Sequence, residues 1–173
     1  NNQADIAKTQ NRSLEFCLFI SLPSAAGLFI LSTPIIHILF ERGAFLAEDT
    51  SYTAKVLSVF ALGLPAYILI KVLVTCYFAR EDTKTPLYIS VISVIINIVV
   101  SLALIGSMRE MGIATATAIS AWINALLLYV VLRTRNNILL DTRMIWNSAK
   151  IILATIIMMS ACYFLNEMVF ADL

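Results

Sequence analysis

The sequence predicts an all-α, polytopic integral membrane bundle with about five transmembrane helices. Three observations carry that expectation. Of 173 residues, 60% are hydrophobic and 13% charged, where an ordinary soluble domain has roughly a quarter charged residues. The mean hydropathy is +0.88. The apolar residues gather into five runs, each long enough for the roughly 20 helical residues that a hydrocarbon core requires. The runs are continuous, whereas the strands of a membrane barrel would alternate over about ten residues.

The first run spans 14–40, with His37 its only ionisable side chain after Glu15. Gly43 suits a left-handed turn just past its end. The second run, 50–79, follows Glu48-Asp49-Thr50, which places acid and a cap where the helix dipole favours negative charge. Gly63-Leu64-Pro65 should kink or loosen this helix, because proline lacks a backbone donor. The third run, 86–108, starts at Thr85-Pro86, read as a cap followed by proline at the first helical position. The fourth spans 112–132. The fifth spans 144–168, with a fully apolar centre at 151–165 and Asp141-Thr142 as its cap. The polar opening stretch, 1–12, has no signal-peptide pattern. The chain is therefore expected to be an internal piece of a longer protein.

Lysine and arginine set the expected orientation. One side collects Lys8, Arg12, Arg80, Lys84, Arg133, Arg135, Arg143 and Lys150; the other has Arg42, Lys55 and Arg109. This asymmetry puts the N-terminus and the loops after the second and fourth spans in the cytoplasm. The C-terminus is then outside. Trp146, near Lys150, fits an interfacial anchor.

Several function classes are disfavoured. No basic stripe with interleaved aromatics suggests nucleic acid. Cys17, Cys76 and Cys162 lie singly in apolar runs without a C-x-x-C pair, so they read as buried thiols. Nothing suggests a metal or another cofactor. There is no nucleophile elbow and no carboxylate pair within an apolar span, so no enzyme is expected.

Lys71 is the most informative residue, because an ammonium within an apolar helix costs at least about 2.5 kcal/mol and usually faces a cavity or a partner. Tyr67 and Thr75 stand one turn to either side, which makes a single polar stripe. The stripe lines a hydrated path that attracts an anion, or the lysine snorkels toward the surface; both readings stand. On the third and fourth spans, Ser93, Asn97 and Ser101 match Gly112, Ala116, Ser120 and Asn124. Small residues let helices approach and amides bond across them, so Asn97 and Asn124 are expected in helix packing. His37 fits a helix-end role better than a proton relay.

Two stretches carry a resemblance. Leu39-Phe40-Glu41-Arg42-Gly43-Ala44-Phe45 lies between the first two spans, and Tyr77-Phe78-Ala79-Arg80-Glu81-Asp82-Thr83-Lys84-Thr85-Pro86 between the second and third. At this spacing the chain resembles the MurJ (formerly MviN) family of bacterial lipid II flippases, in the multidrug/oligosaccharidyl-lipid/polysaccharide exporter superfamily. The likeness is looser around Ala121-Trp122-Ile123-Asn124-Ala125 and fades over the fifth span.

The resemblance implies that residues 1–173 are part of the C-terminal lobe of a larger two-lobed transporter, about its ninth to thirteenth helices. It implies movement of undecaprenyl-pyrophosphate-linked peptidoglycan precursor from the inner to the outer leaflet of the bacterial cytoplasmic membrane by alternating access. Membrane lipid, the lipid-linked precursor and cell-wall synthesis proteins are the implied partners. Lys71, with Tyr67 and Thr75, is then the candidate for the cavity wall. Glu41, Arg42 and Gly43 match the family's outward turn, with an expected role in loop geometry. Two alternatives remain: a drug or lipid-linked oligosaccharide exporter of the same superfamily, and a membrane scaffold that transports nothing.

Overall fold

A computed structural model describes the backbone of residues 2–135 and 142–170, and the side chains of 9–135, 146–166 and Met168. The cap expected at Asp141 and the side chains of Lys8 and Arg143 lie outside the described residues. The described residues form six helices: α1 (Asn2–Ile30), α2 (Ser32–Phe40), α3 (Ala47–Phe78), α4 (Lys84–Met108), α5 (Glu110–Thr134) and α6 (Thr142–Phe170). Among the described residues, five helices are long and apolar enough to cross a membrane. The chain is a multi-pass, all-α membrane bundle.

The helices pack in the spatial order α4, α5, α3, α1, α6, with α2 also resting against α3. Consecutive α3 and α4 barely touch, because α5 lies between them. Ala66 of α3 meets Ala121 and Ala125 of α5, and side chains this small let two helix backbones come close. A larger apolar cluster joins Leu14 of α1, Leu73, Cys76 and Tyr77 of α3, and Leu128 and Leu132 of α5. On α4, by contrast, Val94, Ile95, Ile98, Val99 and Leu102 are exposed. Water would oppose such a surface; lipid accepts it.

Three local expectations are corrected. The first run is not one helix, since it breaks at Leu31 (φ −90°, ψ 12°) into α1 and α2. Pro34 has no N–H for the Ile30 carbonyl, while the Ser32 hydroxyl donates to Phe29 O at 3.1 Å. Through Gly63-Leu64-Pro65, α3 is continuous from Ala47 to Phe78. Thr85 is not the cap of α4, which begins at Lys84. The Asp82 carboxylate takes that role, accepting the Thr85 backbone N–H at 3.0 Å and its hydroxyl at 2.7 Å. Thr50 is likewise inside α3. Asp49 accepts the Leu46 N–H at 2.9 Å there, half of a capping box.

Candidate functional site

The Tyr67–Lys71–Thr75 stripe lies along α3, and among the described residues no hydrogen bond joins its three side chains to one another. Tyr67 folds back toward the start of its helix, the direction helical side chains favour. A Cβ added at Gly63 would stand 2.9 Å from the Tyr67 hydroxyl oxygen, so glycine makes room for this ring. That hydroxyl is buried without a hydrogen-bond partner among the described residues. The Thr75 hydroxyl donates to Lys71 O at 2.8 Å, satisfying its own helix. Lys71 is exposed on the flank of the bundle. It forms no ion pair among the described residues.

One turn from Lys71, Thr75 enters the wall of a cavity of about 460 Å³ between α1 and α3. Thr9, Gln10 and Ser13 of α1 face it, as do Val72 and Cys76 of α3. Arg80 stands at its end, reaching Cys76 O at 3.1 Å and Gln10 Oε1 at 3.5 Å. The polar lining thus comes from one side and a mixed surface from the other.

The turn between α2 and α3 is a closed network. Glu41 Oε2 lies 2.8 Å from His37 Nδ1 and accepts the Thr50 hydroxyl at 2.6 Å. Arg42 donates to Ile38 O and Leu39 O, at 3.3 and 3.2 Å, covering carbonyls at the end of α2. Gly43 has φ +65°, in the left-handed region where a side chain is disfavoured. Phe40 and Phe45 bring their ring centroids to 6.3 Å across the turn. The hydrogen bond from Thr50, followed by that with His37, holds the Glu41 carboxyl below the usual carboxylate range.

The loop between α3 and α4 is closed as firmly. Glu81 adopts φ +59°, which turns the chain so that Asp82 faces Thr85. Arg135, just past α5, pairs with Asp82 at 2.7 Å. The Thr85 backbone N–H, its hydroxyl and Arg135 together lower the Asp82 carboxyl. At this same end, Asn147 of α6 donates to Glu15 of α1 at 3.2 Å. At the other end, the Tyr52 hydroxyl reaches Glu110 Oε2 at 2.9 Å, tying α3 to the corner between α4 and α5.

Between α4 and α5, Asn97 Nδ2 donates to Ser120 Oγ at 3.0 Å and Thr117 Oγ1 at 3.2 Å. Asn124 Oδ1 is buried and accepts nothing among the described residues. Two further bonds gave no signal in the sequence. The Tyr77 hydroxyl donates to Leu128 O at 2.8 Å within the core. The Trp122 indole donates to Leu62 O at 3.0 Å, beside the turn where Pro65 cannot supply an N–H.

A family model described as "Lipid II flippase MurJ" matches residues 1–172. The "Probable lipid II flippase MurJ" of Rhizobium meliloti (strain 1021) is 43% identical over 162 residues, covering 94% of the chain and 30% of that relative. The protein of the same description from Rickettsia prowazekii (strain Madrid E) is 47% identical over 129 residues, 75% of the chain and 25% of the relative. "Lipid II flippase MurJ" of Thermosipho africanus (strain TCF52B) is 37% identical over 124 residues, 72% and 26% respectively. The chain spans less than a third of the length of these curated relatives.

Proposed function

The chain belongs to the lipid II flippase MurJ family, and on that premise we propose that it forms most of the second lobe of such a flippase. The complete protein would carry undecaprenyl-pyrophosphate-linked peptidoglycan precursor from the inner to the outer leaflet of the bacterial cytoplasmic membrane. It would act by alternating access, as a transporter and not an enzyme, alongside cell-wall synthesis proteins. The N-terminal end of the chain and the Asp82 loop would face the cytoplasm, and the Glu41 turn would face outward, as the lysine and arginine asymmetry favours.

One observation supports a moving lobe above all. The helix ends are tied at both levels, by Glu41 with Thr50 at one end and by Asp82 with Arg135 at the other. Alternating access by rocking asks each lobe to move as a body, and a bundle fastened at both ends transmits motion without shearing. Lys71 is the residue we assign to the cavity wall, because an exposed ammonium within a membrane span needs water, an anion or a partner beside it. Tyr67 and Thr75 flank it as the polar part of the same face.

Complementation of a flippase-depleted strain tests this assignment. Full-length Lys71→Arg should support growth and Lys71→Met should not, with both proteins at equal membrane levels. Equal growth with both would remove Lys71 from the cavity and leave it a snorkelling side chain.

A further inference from the structure

A second cavity, of about 590 Å³, lies between α1 and α6, away from Lys71. Arg12, Glu15, Phe16 and Phe19 line it from α1, and Asn147, Lys150 and Ile151 from α6. The lining is ordered by depth. Arg12 stands two residues before the apolar run that begins at Leu14, and Lys150 directly before the apolar stretch 151–165. Both charges therefore stand at the edge of the apolar part of their helices, where headgroups lie. Phe16 and Phe19 lie one and two turns deeper and are 63% and 61% exposed.

The charges are available. Neither Arg12 nor Lys150 pairs with a carboxylate among the described residues. Glu15 instead accepts the Asn147 amide at 3.2 Å. Lys150 Nζ stands 5.7 Å from the Trp146 ring centroid, where an interfacial aromatic holds a cation near the headgroups. Among the described lining residues, two cations against one carboxylate leave a charge of +1, which complements a phosphate diester of charge −1 and not a zwitterionic headgroup.

We propose that the α1–α6 groove is a binding site for an anionic glycerophospholipid of the bilayer. Arg12 and Lys150 hold its phosphate, and an acyl chain lies against Phe16, Phe19 and Ile151. The site depends on the chain's membrane-spanning character and not on the flippase reading, so either proposal can fail alone. Its consequence is that α6, which packs mainly on α1, is fastened to the bundle partly by lipid.

The test uses the full-length protein in lipid nanodiscs with phosphatidylglycerol carrying a photoreactive acyl chain, followed by peptide mapping. Label should fall on the segment holding Phe16 and Phe19 and on the start of α6. A phosphatidylcholine probe of the same chain length should label these segments at least about fivefold less. Arg12→Gln with Lys150→Gln should reduce labelling about fivefold per charge removed, and Arg12→Lys with Lys150→Arg should retain it. Equal labelling by the two lipids, in protein with no substitution, would overturn the proposal. So would undiminished labelling of the glutamine variant, or label that misses the segment holding Phe16 and Phe19.

Discussion

Arg135 closes a 2.7 Å ion pair onto Asp82, joining the end of α5 to the loop that starts α4 across 53 positions of sequence. The same carboxylate caps α4 through the Thr85 backbone N–H. One side chain therefore fixes both where α4 begins and where α5 ends. Asp82→Asn keeps an acceptor for the cap but removes the charge, so it should lower the thermal midpoint less than Asp82→Ala. Exchanging the pair, Asp82→Arg with Arg135→Asp, should leave the cap unmade and fail to restore the midpoint. Full recovery by the exchanged pair would mean that the ion pair alone matters.

Acid should loosen the turn between α2 and α3. Glu41 titrates below its ordinary value in the folded chain, chiefly because Thr50 donates to it. A lowered carboxyl stabilises the fold fully above its unfolded value, about pH 4. That contribution is lost as pH falls through the lower folded value. Thr50→Val removes the hydroxyl that donates to Glu41 at 2.6 Å. The midpoint of the variant should thus change less between pH 6 and pH 3 than that of the native protein. Parallel acid profiles would refute the link.

Inter-helix hydrogen bonds in the apolar region should have modest, measurable effects. Tyr77 is 1% exposed and its hydroxyl meets Leu128 O. Tyr77→Phe and Asn97→Ala should each destabilise by about 1 kcal/mol, the scale of such bonds between membrane helices. Unfolding of the full-length protein in mixed micelles would measure both. No change for Tyr77→Phe would show that lipid-like surroundings or water replace the bond.

Two glycines near the α4–α5 corner should behave oppositely. A Cβ at Gly112 would meet Leu104 O at 2.8 Å, against backbone that cannot yield easily. Nothing stands within 4 Å of the same atom at Gly106. Gly112→Ala should therefore cost about 1–3 kcal/mol as an overpacked contact. Gly106→Ala should be neutral or stabilising by up to about 1 kcal/mol through helix propensity. The same micelle unfolding reports both, and equal effects would contradict the close approach at Gly112.

The spans were legible in the sequence because crossing a membrane demands a length of apolar residues that little else requires. The helix break at Leu31 was not. Pro34 and Pro65 look alike in sequence, and membrane helices tolerate proline when a neighbour answers the freed carbonyls. Trp122 donates to Leu62 O, one residue from the Ala61 carbonyl that Pro65 frees, across 60 positions that local pattern does not connect. The cap of α4 was misread for a similar reason. Asp82, Thr83 and Thr85 are all capping types, and only the left-handed turn at Glu81 decides among them. The candidate stripe was legible as spacing, yet spacing did not show Tyr67 folding over Gly63 or Thr75 bonding its own helix. Side-chain direction depends on packing that period alone does not encode.

The most direct test is externalisation of the lipid-linked precursor itself. In cells depleted of their own flippase, the full-length protein containing this chain would be expressed and outer-leaflet precursor labelled with a membrane-impermeant reagent. Labelling should return to the level before depletion within the time growth resumes. Restored growth with no return of outer-leaflet precursor, or neither despite normal membrane levels of protein, would contradict the proposed function.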